Sequence, residues 1–233
     1  MIRPLDCIFF KGTEFVSEAI VKLERLTIGI GEWSHIGIVV NKDIIPSLNV
    51  KDNDLYIWES TISSRSKLIN KDPTLDAESD EPIFGVQVRK LNNIIKNDLK
   101  NGVKIGWGKL KNNPIDKRDN EDEACYQNRL NILRSTLQKV HKDNYHKPYT
   151  FNICRLLGAV FSCCKCMRSS CCLGENWRFC SQLVAMVYEE IGVLDKTFDP
   201  EIITPQDIAT PQLSEENLPL MLEDIVEIKR ETI

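Results

Sequence analysis

Three apolar, β-branched runs follow one another in this chain with no helical pattern between them. They are Ser34-His35-Ile36-Gly37-Ile38-Val39-Val40, Leu55-Tyr56-Ile57-Trp58-Glu59 and Ile83-Phe84-Gly85-Val86-Gln87-Val88. Asn41-Lys42-Asp43 closes the first, and an acidic, proline-bearing loop from Asp72 to Pro82 precedes the third, so each run has the punctuation of a strand. Parallel neighbours are normally joined by a crossover helix. Consecutive strands without one predict an antiparallel meander rather than strand–helix–strand units. Leu5-Asp6-Cys7-Ile8-Phe9-Phe10, closed by Lys11-Gly12, predicts a strand ahead of these three, and Ile225-Val226-Glu227-Ile228 a strand that returns to the sheet. Within the His35 strand, alternation places His35, Gly37 and Val39 on one face and Ile36, Ile38 and Val40 on the other.

Helical periodicity appears elsewhere. Phe15, Ala19, Ile20, Leu23 and Leu26 form an apolar stripe after Thr13, and Leu130, Leu133, Leu137 and Val140 another between about Glu121 and His141. His141 and His146 stand near the end of that second helix, where a histidine is commonly a surface residue favoured by the helix dipole; neither is assigned a role. Residues 90 to 120 are polar and weakly patterned, and Lys109 to Asp122 reads as a surface excursion. Asp199-Pro200 and Thr204-Pro205-Gln206-Asp207 read as loops with a brief turn. With no internal repeat and no long linker, the chain is expected to form one α+β domain over residues 1–233, with insertions at about 100–122 and 155–176.

A net charge of −4 argues against broad nucleic-acid binding, which calls for a basic domain. Ile28-Gly29-Ile30-Gly31-Glu32 is a poor match to any phosphate-cradling loop, and no cofactor is expected. The N-terminal residues lack the apolar stretch and cleavage site of a secretory signal, and no apolar run has the length of a membrane span. Nine cysteines, an odd number with several adjacent, do not make a secreted disulfide framework. A reducing, intracellular compartment, the cytoplasm, is therefore expected.

Phe179-Cys180-Ser181-Gln182-Leu183-Val184 opens a third amphipathic pattern, with Leu183, Val184, Val187, Tyr188 and Ile191 at helical spacing and Gly192 in place for a C-cap. Cys180 thus stands at a helix start, among N–H groups that lack intrahelical partners. The partial positive charge there favours a thiolate, the attacking form of a nucleophilic cysteine. A buried structural cysteine is the other reading of the same pattern. His35 completes the minimal pair for nucleophilic catalysis, with Glu59 on the neighbouring strand as the carboxylate that would hold its tautomer. Alone, His35 also reads as a satisfied core histidine and Glu59 as a solvated charge at a strand end.

Taken in order, the Asp-Cys-Ile-Phe-Phe strand, Trp33-Ser34-His35-Ile36-Gly37-Ile38-Val39, Trp58-Glu59-Ser60, Pro148-Tyr149, Phe179-Cys180-Ser181-Gln182-Leu183-Val184 and Thr204-Pro205-Gln206-Asp207-Ile208-Ala209 resemble the circularly permuted branch of the NlpC/p60 papain-like superfamily. That branch is the YiiX-like group related to lecithin–retinol acyltransferases, in which the histidine strand precedes the cysteine helix. The resemblance spans about Leu5 to Ala209. It implies a papain-like antiparallel sheet packed against helices, with the nucleophile at a helix N-terminus. It further implies Cys180 as nucleophile, His35 as general base and acid, Glu59 as the orienting residue, and Tyr149 near the nucleophile as an oxyanion or substrate contact. The backbone N–H of Cys180 would be a second oxyanion donor. Cys7 stands where the family often has an aliphatic residue. Phe179-Cys180-Ser181-Gln182 also differs from the Asn-Cys-Glu-His of the acyltransferases.

The expected activity is therefore that of a cysteine hydrolase, peptidase or amidase in type, working through an acyl-enzyme on a peptide, amide or ester. The alternatives are a lipid acyltransferase or phospholipase, and a non-catalytic binding module of the same fold. Cys163, Cys166, Cys171 and Cys172 would be weak candidates for a zinc site, their spacing being unlike paired knuckles. Palmitoylation beside Leu156–Phe161, with Lys165 and Arg168 against an anionic bilayer surface, is the other functional reading of that segment, and a reduced loop of no assigned role the plainest one.

Overall fold

The structure is a computed structural model that describes residues 1–11, 32–61, 75–148, 178–214 and 217–229. The helix expected after Thr13, Tyr149, and the cysteines at 163, 166, 171 and 172 lie outside the described residues.

Six strands form one antiparallel sheet: β1 (Cys7–Lys11), β2 (His35–Val40), β3 (Tyr56–Thr61), β4 (Gly85–Lys90), β5 (Lys104–Gly108) and β6 (Val226–Ile228). Their spatial order is β4-β3-β2-β1-β5-β6. The first four strands are therefore an antiparallel meander, each lying beside its neighbour in sequence. Among the described residues the helices are α1 (Leu91–Lys100), α2 (Glu123–Asn144), α3 (Cys180–Glu190) and the short α4 (Pro205–Ala209), followed by a 3₁₀ turn at Pro211–Leu213. The protein is thus an α+β fold. No helix among the described residues is long and apolar enough to cross a membrane.

Both faces of the sheet are covered, and the period-two alternation of the strands sorts the side chains between them. Cys7, Phe9, Ile36, Ile38, Val40, Trp58, Val86 and Val88 pack in one cluster with Leu133 and Leu137 of α2 and Leu183, Val184, Val187 and Tyr188 of α3. Ile8, Phe10, Val39, Ile57 and Ile105 pack on the other side with Leu91, Ile94 and Ile95 of α1. A strand covered on one face only would keep polar residues on the other; here β3 is buried along its whole length.

Residues 91–108 depart from the sequence expectation of a weakly patterned polar stretch. They hold α1 and then β5, which pairs with β1 from Cys7↔Gly108 to Lys11↔Lys104 and with β6. The signal is weak because α1 buries only Leu91, Ile94 and Ile95 among polar neighbours, and because β5 reads Lys-Ile-Gly-Trp-Gly. Gly is a poor strand former by propensity. It suits this strand because a Cβ on Gly106 would lie 2.6 Å from both Ile225 and the Trp33 ring. His141 also departs from expectation. It is buried, with its Nε2 2.9 Å from Glu78 Oε2 and its ring between Trp58 and Tyr145.

Candidate active site

β2 carries His35 at its first position, β3 carries Glu59 and β4 carries Arg89, all on the face shared with Val39 and Ile57. Strand alternation alone would set His35 against Glu59 only if the two strands lay close. Gly37 permits this. A Cβ there would meet Ile57 Cγ1 at 2.6 Å and Glu59 Cβ at 3.0 Å, so only glycine lets the β3 side chains lean across β2. His35 Nε2 donates to Glu59 Oε2 at 2.5 Å, which leaves Nδ1 as the ring nitrogen facing away from the carboxylate.

The ladder between β2 and β3 runs from Val40↔Tyr56 only as far as Ile38↔Trp58. Towards His35 the ladder carries no further pairs. The N–H groups of a strand face its two neighbours alternately. Since Val39 N donates to Asp6 O beside β1, the Ile36 N–H points to the β3 side, beyond the last ladder pair. Cys180, at the start of α3, has its sulfur within reach of the Ile36 N–H and of the Ser181 N–H of its own helix start, and both favour the thiolate.

Three contacts bring Cys180 there. Ser60 Oγ on β3 donates to Arg178 O at 2.7 Å, Arg178 N donates to Pro148 O at 3.1 Å, and Arg178 Nε donates to Asn144 Oδ1 at 3.0 Å. Pro148 is itself bridged to Gly85, and Val86 N donates to Lys147 O. Gly85 has φ +145°, and a Cβ on it would lie 2.1 Å from Lys147 O, so no other residue fits that bridge. The turn before Cys180 is thereby pinned to β3, β4 and the end of α2. α3 then starts from an extended Phe179, whose N–H donates to Gln182 Oε1 at 3.2 Å, one half of a capping box. On the other side, Gln206 of α4 accepts from Glu32 N at 2.8 Å and Trp33 N at 3.3 Å, which steadies the chain entering β2. The α4 start is capped reciprocally by Thr204 and Asp207.

The electrostatics follow from these partners. Burial opposes charge on all three groups, and in each case the neighbours win. Burial would raise the Cys180 thiol, yet the charge of His35, the bond to it and the two backbone N–H groups hold it below the ordinary thiol value. Burial would lower His35, but the Cys180 charge and hydrogen bond, then Glu59, push it up to about 10. Burial would raise Glu59, but the Arg89 charge and the His35 bond keep its carboxyl below the usual range. The state these groups favour is a thiolate–imidazolium pair beside an ionised carboxylate. Such a pair can add sulfur to a polarised carbonyl and deliver a proton to what departs.

The fold thus brings together Cys180, His35 and Glu59, three residues remote in sequence. Two contributors lie outside the sequence reading. Arg89 is one: the third strand, read as ending at Val88, continues through Arg89 to Lys90, and one further step of alternation would have placed Arg89 on the Glu59 face. The Ile36 N–H is the other, since the end of a ladder leaves no mark on the residues that form it. No protein-family model matches the sequence, and no curated protein matches it.

Proposed function

We propose that the protein is a cysteine hydrolase acting on a peptide, amide or ester bond, with Cys180 as nucleophile, His35 as general acid and base, and Glu59 as the orienting carboxylate. The observation that carries the reading is Cys180 set beside His35, whose Nε2 is held at 2.5 Å by Glu59, with the thiol below and the imidazole above their ordinary values. A structural cysteine has no need of a charged partner, and a core histidine has no need of a thiolate.

In this reading the Cys180 thiolate adds to the carbonyl carbon, and the negative oxygen faces the backbone N–H of Cys180 at the start of α3. As the tetrahedral species collapses, the carbon–leaving-group bond breaks and the His35 Nδ1 proton goes to the leaving amine or alkoxide. A thioester on Cys180 remains. Neutral His35 then takes a proton from water, the hydroxide adds to the thioester, and collapse releases the acid and restores thiolate and imidazolium. Glu59 stays ionised throughout. It fixes the Nε2–H tautomer and stabilises the imidazolium without itself becoming protonated. The fold proposed is the permuted papain-like arrangement of the NlpC/p60 superfamily, supported by a histidine strand that precedes a cysteine helix packed on an antiparallel sheet.

Acylation by a small chromogenic ester, followed by intact mass and peptide mapping, tests the proposal. The wild-type protein should gain one acyl group on Cys180 and release a stoichiometric burst of chromophore. Cys180→Ala should show neither. An equal burst from Cys180→Ala, or an acyl group mapped to another residue, would overturn the assignment.

A further inference from the structure

We infer that Arg89 is a positioning residue for this site, a fourth member that keeps Glu59 ionised and turned toward His35. The division of the Glu59 oxygens carries the inference. Oε2 accepts from His35, while Oε1 accepts from Arg89 Nε at 2.6 Å and is paired with Nη2 as well. A forked guanidinium on one oxygen sets the plane of the carboxylate and leaves the other oxygen aimed at the imidazole. Register makes the contact unavoidable: β3 and β4 pair Glu59 with Gln87 and Ile57 with Arg89, so Glu59 and Arg89 are diagonal neighbours on one face.

The charge count gives the reason such a residue is required. Glu59 has no exposed surface and Arg89 only 6 %. A buried carboxylate without a compensating charge takes up a proton rather than remain an ion. Were Glu59 neutral, the imidazolium of His35 would lose its anion and the Cys180 thiolate would lose its cation in turn. With Arg89 in place the buried side chains alternate in sign from guanidinium to thiolate, and their charges cancel. Arg89 acts on sulfur through two intermediaries and touches neither sulfur nor substrate.

This inference rests on the reading of Cys180 and His35 as a reactive pair, and the rate of Cys180 alkylation by iodoacetamide against pH separates the two claims, with peptide mapping to isolate Cys180. In the wild-type protein the midpoint should lie below that of an ordinary thiol. Arg89→Met should move it upward and slow alkylation at pH 6.5 by about tenfold, the effect of a one-unit shift in thiol pKa. Arg89→Lys, which restores the charge without the fork, should recover most of the shift. In a Glu59→Gln background Arg89→Met should add nothing, because its route to sulfur is already cut. Arg89→Gln, which removes the charge but keeps a donor, serves if Arg89→Met does not fold. An ordinary midpoint in the wild-type protein would sink the reactive pair itself. A low midpoint unmoved by Arg89→Met or Arg89→Gln, or moved equally with Glu59→Gln present, would sink only the role of Arg89.

Discussion

Cys7 and Cys180 are both buried and both packed in the same apolar cluster, one touching α3 and the other beginning it, yet their thiols are driven in opposite directions. Cys7 sits on β1 with its Sγ 3.0 Å from Tyr188 Oη, and that hydroxyl donates to Leu5 O at 2.8 Å. Burial raises the Cys7 thiol to about 12; the Tyr188 hydroxyl opposes this weakly, and Asp6 reinforces it. Cys180 suffers the same burial but faces a cation and two backbone N–H groups. Tyr188 lies eight residues along the helix from Cys180, about 12 Å at 1.5 Å per residue. One helix therefore begins at a thiol that its neighbours hold down and meets, near its other end, a thiol that burial raises. Burial sets the stakes for a charge, and the partner decides its sign.

The largest expected effect removes the partner. His35→Gln should slow Cys180 alkylation at pH 6.5 by about 100-fold, because an ordinary thiol two units below its pKa is about 1 % thiolate. Cys7 in the same folded protein should stay unreactive. Equal rates at the two sulfurs in the wild-type protein, by peptide-resolved mass spectrometry, would end the contrast.

Glu59→Gln should make the Cys180 side more like the Cys7 side at two levels. It should cost about 2 kcal/mol in urea unfolding, as a charged hydrogen bond is lost and Arg89 loses its counter-charge. It should also raise the alkylation midpoint of Cys180 and leave Cys7 untouched.

The pH dependence of stability provides a third way to separate them. Cys7, raised from 9.0 to about 12, contributes stability as a neutral thiol that is intact below pH 9 and lost as pH rises towards 12. The wild-type protein should therefore lose stability above pH 9 more steeply than Cys7→Ala, by up to about 1.4 kcal/mol per pH unit. Identical slopes would mean that Cys7 ionises freely. Cys180 contributes with the opposite sign. Its lowered thiol value gives stability that is complete above pH 9 and lost as pH falls through the folded value, while His35, raised to about 10, loses its contribution as pH rises through 10. Between about pH 6.5 and 9 the two slopes oppose, and His35→Gln should remove both, because the lowered Cys180 value depends on the His35 charge.

The smallest effect belongs to Tyr188→Phe. It should cost about 1 kcal/mol through the lost bond to Leu5 O and leave the Cys180 profile where it was. A shift in that profile would mean that the two ends of α3 communicate.

Much of the contrast was legible in the residues, though not all of it for the same reason. Cys180 announced itself because Leu183, Val184, Val187 and Tyr188 set a helical period that begins at it, and His35 because Ile36, Ile38 and Val40 set a strand period around it. Glu59 stood out as the carboxylate that ends the neighbouring run Leu55-Tyr56-Ile57-Trp58-Glu59. The Cys7 strand was visible as well, but its thiol could not be told from the other by type or by local pattern. Arg89 escaped by one residue of strand length, and α1 and β5 escaped because few of their residues are apolar. His141 was misplaced because a histidine in a last helical turn has no local mark of burial.

Periods of 2 and 3.6 are local, so the sequence by itself determined an antiparallel sheet, the faces of its strands and a helix that starts at Cys180. Where the β2–β3 ladder stops, which N–H is left to the sulfur, and which of the Glu59 oxygens meets which cation depend on register and close approach between segments remote in the chain. Those were decided only when the sheet assembled, because the energy of a buried charge is a property of its neighbours in space.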